Sequence, residues 1–166
     1  MAIYVDQAIE QLHRLLQLAD DAGLRRFLSE IQPADLAELV VLLSETRRRQ
    51  VFEALDLETA ARTLEIMDYE AQYAVITSLP RPLARSILSR MSSDDLADML
   101  GALTHTQSEE ILSLIPDSAQ AIRTLMQYPE DSAGGIMSLG FVAIKSHHTV
   151  EQAIAYLRRI ASEVET

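Results

Sequence analysis

Large apolar residues recur along this chain at an interval of twelve. Ile31, Leu43, Leu55, Met67, Leu79, Met91, Leu103 and Ile115 each stand twelve residues beyond the last. The residues that follow them are Gln32, Ser44, Asp56, Asp68, Pro80, Ser92, Thr104 and Pro116. All but Gln32 are good helix N-caps or first-turn prolines, and Gln32 has Pro33 behind it. Eight and nine residues past the anchors lie apolar pairs such as Leu39-Val40, Val51-Phe52, Val75-Ile76 and Met99-Leu100. Each beat therefore predicts one helix of roughly ten residues, about 15 Å long, and a tight turn. Helices so short persist only by stacking on neighbours. The pattern predicts an all-α fold, a superhelical array of short helical hairpins with two beats to a hairpin. A globular bundle with coincidental spacing is the competing arrangement. In the array, the anchors Leu55, Met67, Leu79, Met91 and Leu103 are expected to be buried.

The flanks obey different patterns. Val5, Ile9, Leu12, Leu16 and Ala19 predict a first helix with Gly23 as its stop, and Leu24, Phe27, Leu28 and Ile31 a second, ended by Pro33. At the far end Arg123 and Thr124 replace the apolar pair, as in a terminal repeat. A turn-rich stretch follows, Tyr128-Pro129-Glu130-Asp131-Ser132-Ala133-Gly134-Gly135-Ile136-Met137, in which an ordinary helix does not continue. Beyond it Phe141-Val142-Ala143-Ile144 predicts one strand. Thr149-Val150-Glu151-Gln152 reads as a capping box opening a helix whose apolar face is Val150, Ala153, Ile154, Leu157 and Ile160. One strand and one helix do not make a domain. The expected division is a helical domain over 1–127, with a connector and the truncated opening of another domain over 128–166, in a chain cut from a larger protein.

Composition narrows the function classes. The longest purely apolar run, Leu39-Val40-Val41-Leu42-Leu43, is far short of the ~20 residues that span a bilayer, so this segment predicts no direct membrane insertion. The amino terminus lacks the basic and apolar regions of a secretory signal. With no cysteine, disulfides and thiolate chemistry are excluded. Fourteen basic residues against 25 acidic ones give a net charge of -11, which disfavours nucleic acid and favours cations or basic partners. Arg47-Arg48-Arg49 interrupts this charge and reads as a solvated helix face.

Candidate chemistry is sparse. His147-His148 reads as a polar turn before a helix, and His13 and His105 lack companions at ligand spacing. Gly134-Gly135 lacks the continuation of a phosphate loop, and no nucleophile-base constellation assembles, so an enzyme is not expected. The acidic opening of one beat, Ser92-Ser93-Asp94-Asp95-Leu96-Ala97-Asp98, carries more. On a helix Asp94 and Asp98 share a face, their β-carbons about 6 Å apart. Two hard carboxylates with room for water suit Mg²⁺. A purely structural use is open as well, because Asp95 can complete a capping box with Ser92 and Asp94 lies where the helix dipole favours an acid.

The segments Ile31-Gln32-Pro33-Ala34-Asp35-Leu36-Ala37-Glu38-Leu39 and Ser93-Asp94-Asp95-Leu96-Ala97-Asp98 resemble the MgtE family of magnesium transporters. So, with greater specificity, does the connector Tyr128-Pro129-Glu130-Asp131-Ser132-Ala133-Gly134-Gly135. The resemblance implies the amino-terminal superhelical domain and the start of the first CBS domain. In such a transporter the segment is soluble and lies at the cytoplasmic face of the bacterial inner membrane. Its implied partners are two CBS domains and the transmembrane pore of a homodimer. The implied role is Mg²⁺ sensing: bound ions neutralise acidic faces between the domains and hold the pore closed. Asp94 and Asp98 match the family's sensing carboxylates, with Mg²⁺ held only weakly by this segment alone. Two positions depart from the family pattern, Arg62 where an acid is common and Leu139-Gly140 where Pro-Glu is common. The alternative reading is a free-standing helical-repeat adaptor that binds protein, like the helical domains of flagellar motor switch proteins.

Overall fold

The computed structural model describes residues 2–129, 132–134, 136–137 and 143–160, and among them lie eleven helices and no strand. In chain order these are α1 (Ala2–Leu18), α2 (Asp21–Ser29), α3 (Pro33–Val41), α4 (Glu45–Ala54), α5 (Leu57–Ile66) and α6 (Tyr69–Ser78). Then come α7 (Arg81–Leu88), α8 (Ser93–Ala102), α9 (His105–Leu112), α10 (Pro116–Leu125) and α11 (Val150–Ile160). From α3 to α9 each helix begins twelve residues after the one before, and α10 starts one residue early at Pro116. The starts are set by the predicted caps. The Asp56 and Asp68 carboxylates accept the Thr59 and Ala71 N–H at 2.9 Å each, and Pro33 and Pro116 occupy first-turn positions.

The helices form two layers, because most pack on the helix two places along, while α1 also packs closely on α2. One layer stacks α1 on α3, α3 on α5 and α5 on α7; the other stacks α2 on α4, α4 on α6, α6 on α8 and α8 on α10. Between the layers runs one continuous apolar core. Leu12, Leu36, Ala60 and Ala84, spaced by 24 residues, are all buried in the first layer, and Leu28, Phe52, Ile76 and Leu100 in the second. The pattern changes after α7, where α9 packs on α6 and α8 instead of continuing its layer. Tyr73 donates to Glu110 at 2.6 Å there, and Arg85 pairs with Asp117 at 2.5 Å.

A second repeat-encoded device closes the turns. The fourth residue of α4, α6 and α9 is Arg48, Gln72 or Ser108, and each reaches back to carbonyls where the preceding helix ends, that of Val40 also accepting the Leu43 N–H at 3.2 Å. Arg48 donates to the Val40 and Leu43 carbonyls at 3.0 and 3.2 Å, Gln72 to Met67 at 2.9 Å, and Ser108 to Leu100 at 2.6 Å. The expected solvated face of Arg47-Arg48-Arg49 therefore holds for Arg49, paired with Glu53 at 2.8 Å, but not for Arg48. Its guanidinium offers several donors in a fixed fork, which suits converging carbonyls better than water does.

Three other expectations change. α1 ends at Leu18, not at Gly23; the chain turns through Ala19, whose φ is 51°, and Asp20 caps α2 by accepting the Gly23 N–H. A side chain at Gly23 would run into the Asp20 carboxylate, so the glycine serves the cap of α2. Met67, Leu79 and Met91 are buried as expected, whereas Leu55 and Leu103 are half-buried. Of the expected strand, Phe141 and Val142 lie outside the described residues, and Ala143 and Ile144 are irregular. A strand needs a ladder partner, and no second strand occurs among the described residues. The capping box before α11 is formed: Thr149 N–H donates to Gln152 at 3.0 Å and Gln152 N–H to Thr149 at 3.3 Å.

Candidate functional site

The start of α8 is built by two helices. In a local capping box the Ser92 N–H would go to Asp95; here it donates to the Glu65 carboxylate of α5 at 2.9 Å, across 27 residues. The Ser92 hydroxyl donates to Asp95 at 2.5 Å and accepts its N–H at 3.4 Å. Glu65 is half-buried, and its pKa is raised, chiefly by loss of solvent. The Ser92 N–H and the Arg62 guanidinium oppose that shift, while the charges of Asp95 and Glu58 add to it. Arg62 is exposed on α5 and held by Glu58 at 2.9 Å, so its charge is already paired on its own helix.

Upon this fixed start stand Asp94 and Asp98, both half-buried and one turn apart on one face of α8. Asp94 lies in the first turn, where the dipole favours a carboxylate. Their donor chemistry, hard oxygens at i and i+4, fits Mg²⁺, which keeps several waters and takes few protein ligands. Among the described residues no group of three or more His, Cys, Asp or Glu side chains converges as a metal cage. A cation here would take the rest of its shell from water or from a facing surface. His147 and His148 form an edge-to-face pair 5.0 Å apart in the turn before α11, as a polar turn predicts.

Residues 31–131 match the family described as the MgtE intracellular N domain. The chain belongs to that family. It is 35% identical over 159 residues to the magnesium transporter MgtE of Thermus thermophilus, covering 93% of this chain and 35% of that protein. To the Bacillus subtilis magnesium transporter MgtE it is 30% identical over 161 residues, covering 95% of this chain and 36% of that protein. The chain thus spans about a third of the length of these relatives. A crystal structure of the cytosolic domain of the Mg²⁺ channel MgtE, in complex with ATP, superposes with a TM-score of 0.80 at 34% identity. That match covers 95% of this chain and 65% of the other. The soluble part of a magnesium transporter shares the fold at 22% identity, with a TM-score of 0.77 over 98% of this chain and 64% of the other. MgtE membership displaces the motor-switch alternative, and no helix among the described residues is long and apolar enough to cross a membrane.

Sequence reasoning missed Glu65, which reaches from α5 to accept the Ser92 N–H at the start of α8. No spacing rule links residues 65 and 92. The only hint was an acid two places before a buried anchor, next to a beat rich in acids.

Proposed function

We propose that this chain is the Mg²⁺-sensing regulatory domain of an MgtE-type transporter, with Asp94 and Asp98 supplying its share of a cation site. The observation that carries this reading is the start of α8, where a bond from a second helix positions two carboxylates one turn apart. Residues 128–166 then form the connector and opening of a CBS domain, whose remainder faces α8 and completes the ion's coordination. The parent is a homodimer with its pore in the bacterial inner membrane and this domain on the cytoplasmic side. At low Mg²⁺ the acidic faces repel and the domains part; bound ions cancel that repulsion and shift the population to a closed pore. Arg62, already neutralised by Glu58, takes no part in ligation.

Titration of this chain with Mg²⁺, followed by backbone amide NMR, tests the assignment. The expected result is weak, roughly millimolar saturation centred on α8, as for open sites with few protein ligands. Asp94→Asn/Asp98→Asn is expected to abolish those shifts. Shifts centred elsewhere, or surviving the double substitution, would refute the role of these residues. Saturation at micromolar Mg²⁺ would show that the ligands all come from this domain.

A further inference from the structure

One edge of the array carries an apolar strip that the fold does not use. Leu18, Leu42 and Ile66 stand 24 residues apart, at the ends of α1, α3 and α5. They are 71%, 62% and 53% exposed, and Val41 beside Leu42 is 51% exposed. Their neighbours at the same turns, Leu43 and Met67, are buried, so the exposure is specific to one position of the double beat. These three helices stack side by side, and each pair is separated by one returning helix, so their ends fall on a common edge. The fourth position of the series is the exposed Arg90, which closes the strip.

The rim of the strip is mainly acidic. In the turns after its apolar residues stand Asp20 and Asp21, Glu45, then Asp68 and Glu70, all exposed. Against them stands the cation Arg48, whose guanidinium is held by the Val41 and Leu43 carbonyls on either side of Leu42. Such a rim repels anionic phospholipid and favours a cationic partner. The spacing also selects a shape. Neighbouring helices lie about 8–10 Å apart, close to the ~10.5 Å that seven residues of a helix rise. A partner helix crossing the layer would therefore place one apolar residue on each of Leu18, Leu42 and Ile66 from positions seven apart, with basic residues over the rim. We infer that this edge docks a cationic amphipathic helix, with Leu42 and Ile66 as its central contacts. The inference is independent of the Mg²⁺ assignment, since it uses neither Asp94 nor Asp98.

The test uses a labelled Leu/Lys peptide with leucines on one helical face, a scrambled peptide of the same composition, and a Leu/Glu counterpart. Fluorescence anisotropy is expected to report binding of the Leu/Lys helix alone. Leu42→Ser/Ile66→Ser is expected to weaken it about tenfold or more, as loss of central apolar contacts does. An unchanged melting curve would show that the fold survives, and Mg²⁺ shifts on α8 should persist in the same variant. Equal binding of the scrambled peptide, or no effect of the double substitution, would overturn the inference. Self-association of the chain abolished by the substitution, with no peptide binding, would overturn it in favour of a second copy. Flotation with anionic vesicles abolished by the substitution would overturn it in favour of a membrane.

Discussion

α8 and α9 begin twelve residues apart, at the same point of the beat, yet they are anchored differently. At α9 the cap is local: Thr104 and Gln107 exchange N–H bonds at 3.0 and 3.4 Å, and the preceding anchor Leu103 is half-buried. At α8 the anchor Met91 is buried, and the Ser92 N–H goes to Glu65 of α5. The same sequence grammar thus yields a self-contained start in one place and a start held by the array in the other. The helix held by the array is the one that carries Asp94 and Asp98. A helix start tied to the core holds the residues of its first turns more firmly, because local caps fray with their own helix.

The largest expected effect comes from the anchors. Met91→Ala is expected to cost about 2–5 kcal/mol through an unfilled cavity, whereas Leu103→Ala should cost about 1–2 kcal/mol because less of its surface is removed from water. Urea denaturation of both variants measures the difference; equal losses would erase the distinction between the two starts.

Next come the polar ties. Glu65→Ala leaves the Ser92 N–H without its partner and is expected to destabilise the domain by about 1–3 kcal/mol. Gln107→Ala, at an exposed local box where water replaces the lost partner, should cost about 0.5–1 kcal/mol. Hydrogen exchange sharpens this: Glu65→Ala should speed exchange at Ser92 and through the first turn of α8, while Gln107→Ala should affect Thr104 alone.

The smallest effect is on pH dependence. The Glu65 pKa is raised in the folded state from an ordinary 4.5, so the folded domain holds its proton more tightly than the unfolded chain. The stabilisation from this group is then fully present below pH 4.5 and lost as pH rises through the raised value. Glu65→Gln should flatten that decline, and Gln107→Ala should leave it unchanged. Asp56 behaves oppositely: its pKa is lowered, mainly by the Thr59 N–H, so its contribution is lost as pH falls below 3.8. Thermal melts across the acid range would reveal both signs.

Much of the array was legible because its information is local and repeated. A cap residue after each apolar anchor sets where a helix starts, and short helices with one apolar face have no stable alternative to stacking. The caps at Asp56, Asp68, Thr104 and Thr149 follow from neighbouring residues alone. The carboxylate pair of α8 was legible for the same reason, since i and i+4 share a face on any helix.

What the tertiary structure alone decided lies in pairings between beats. Arg48 reads from sequence as a surface charge, yet carbonyls at the end of α3 converge on it, and Glu65 carries no sequence signal for the Ser92 N–H that it accepts. The same holds for the change of packing partners after α7 and for the edge that aligns Leu18, Leu42 and Ile66. Periodicity determines each helix and its buried face because those depend on bonds and contacts within a few residues. Which side chain meets which carbonyl 27 residues away, and which repeated position stays in water, depends on how layers rotate as they stack. That rotation is the summed result of packing across the whole core, and no single stretch of sequence encodes it.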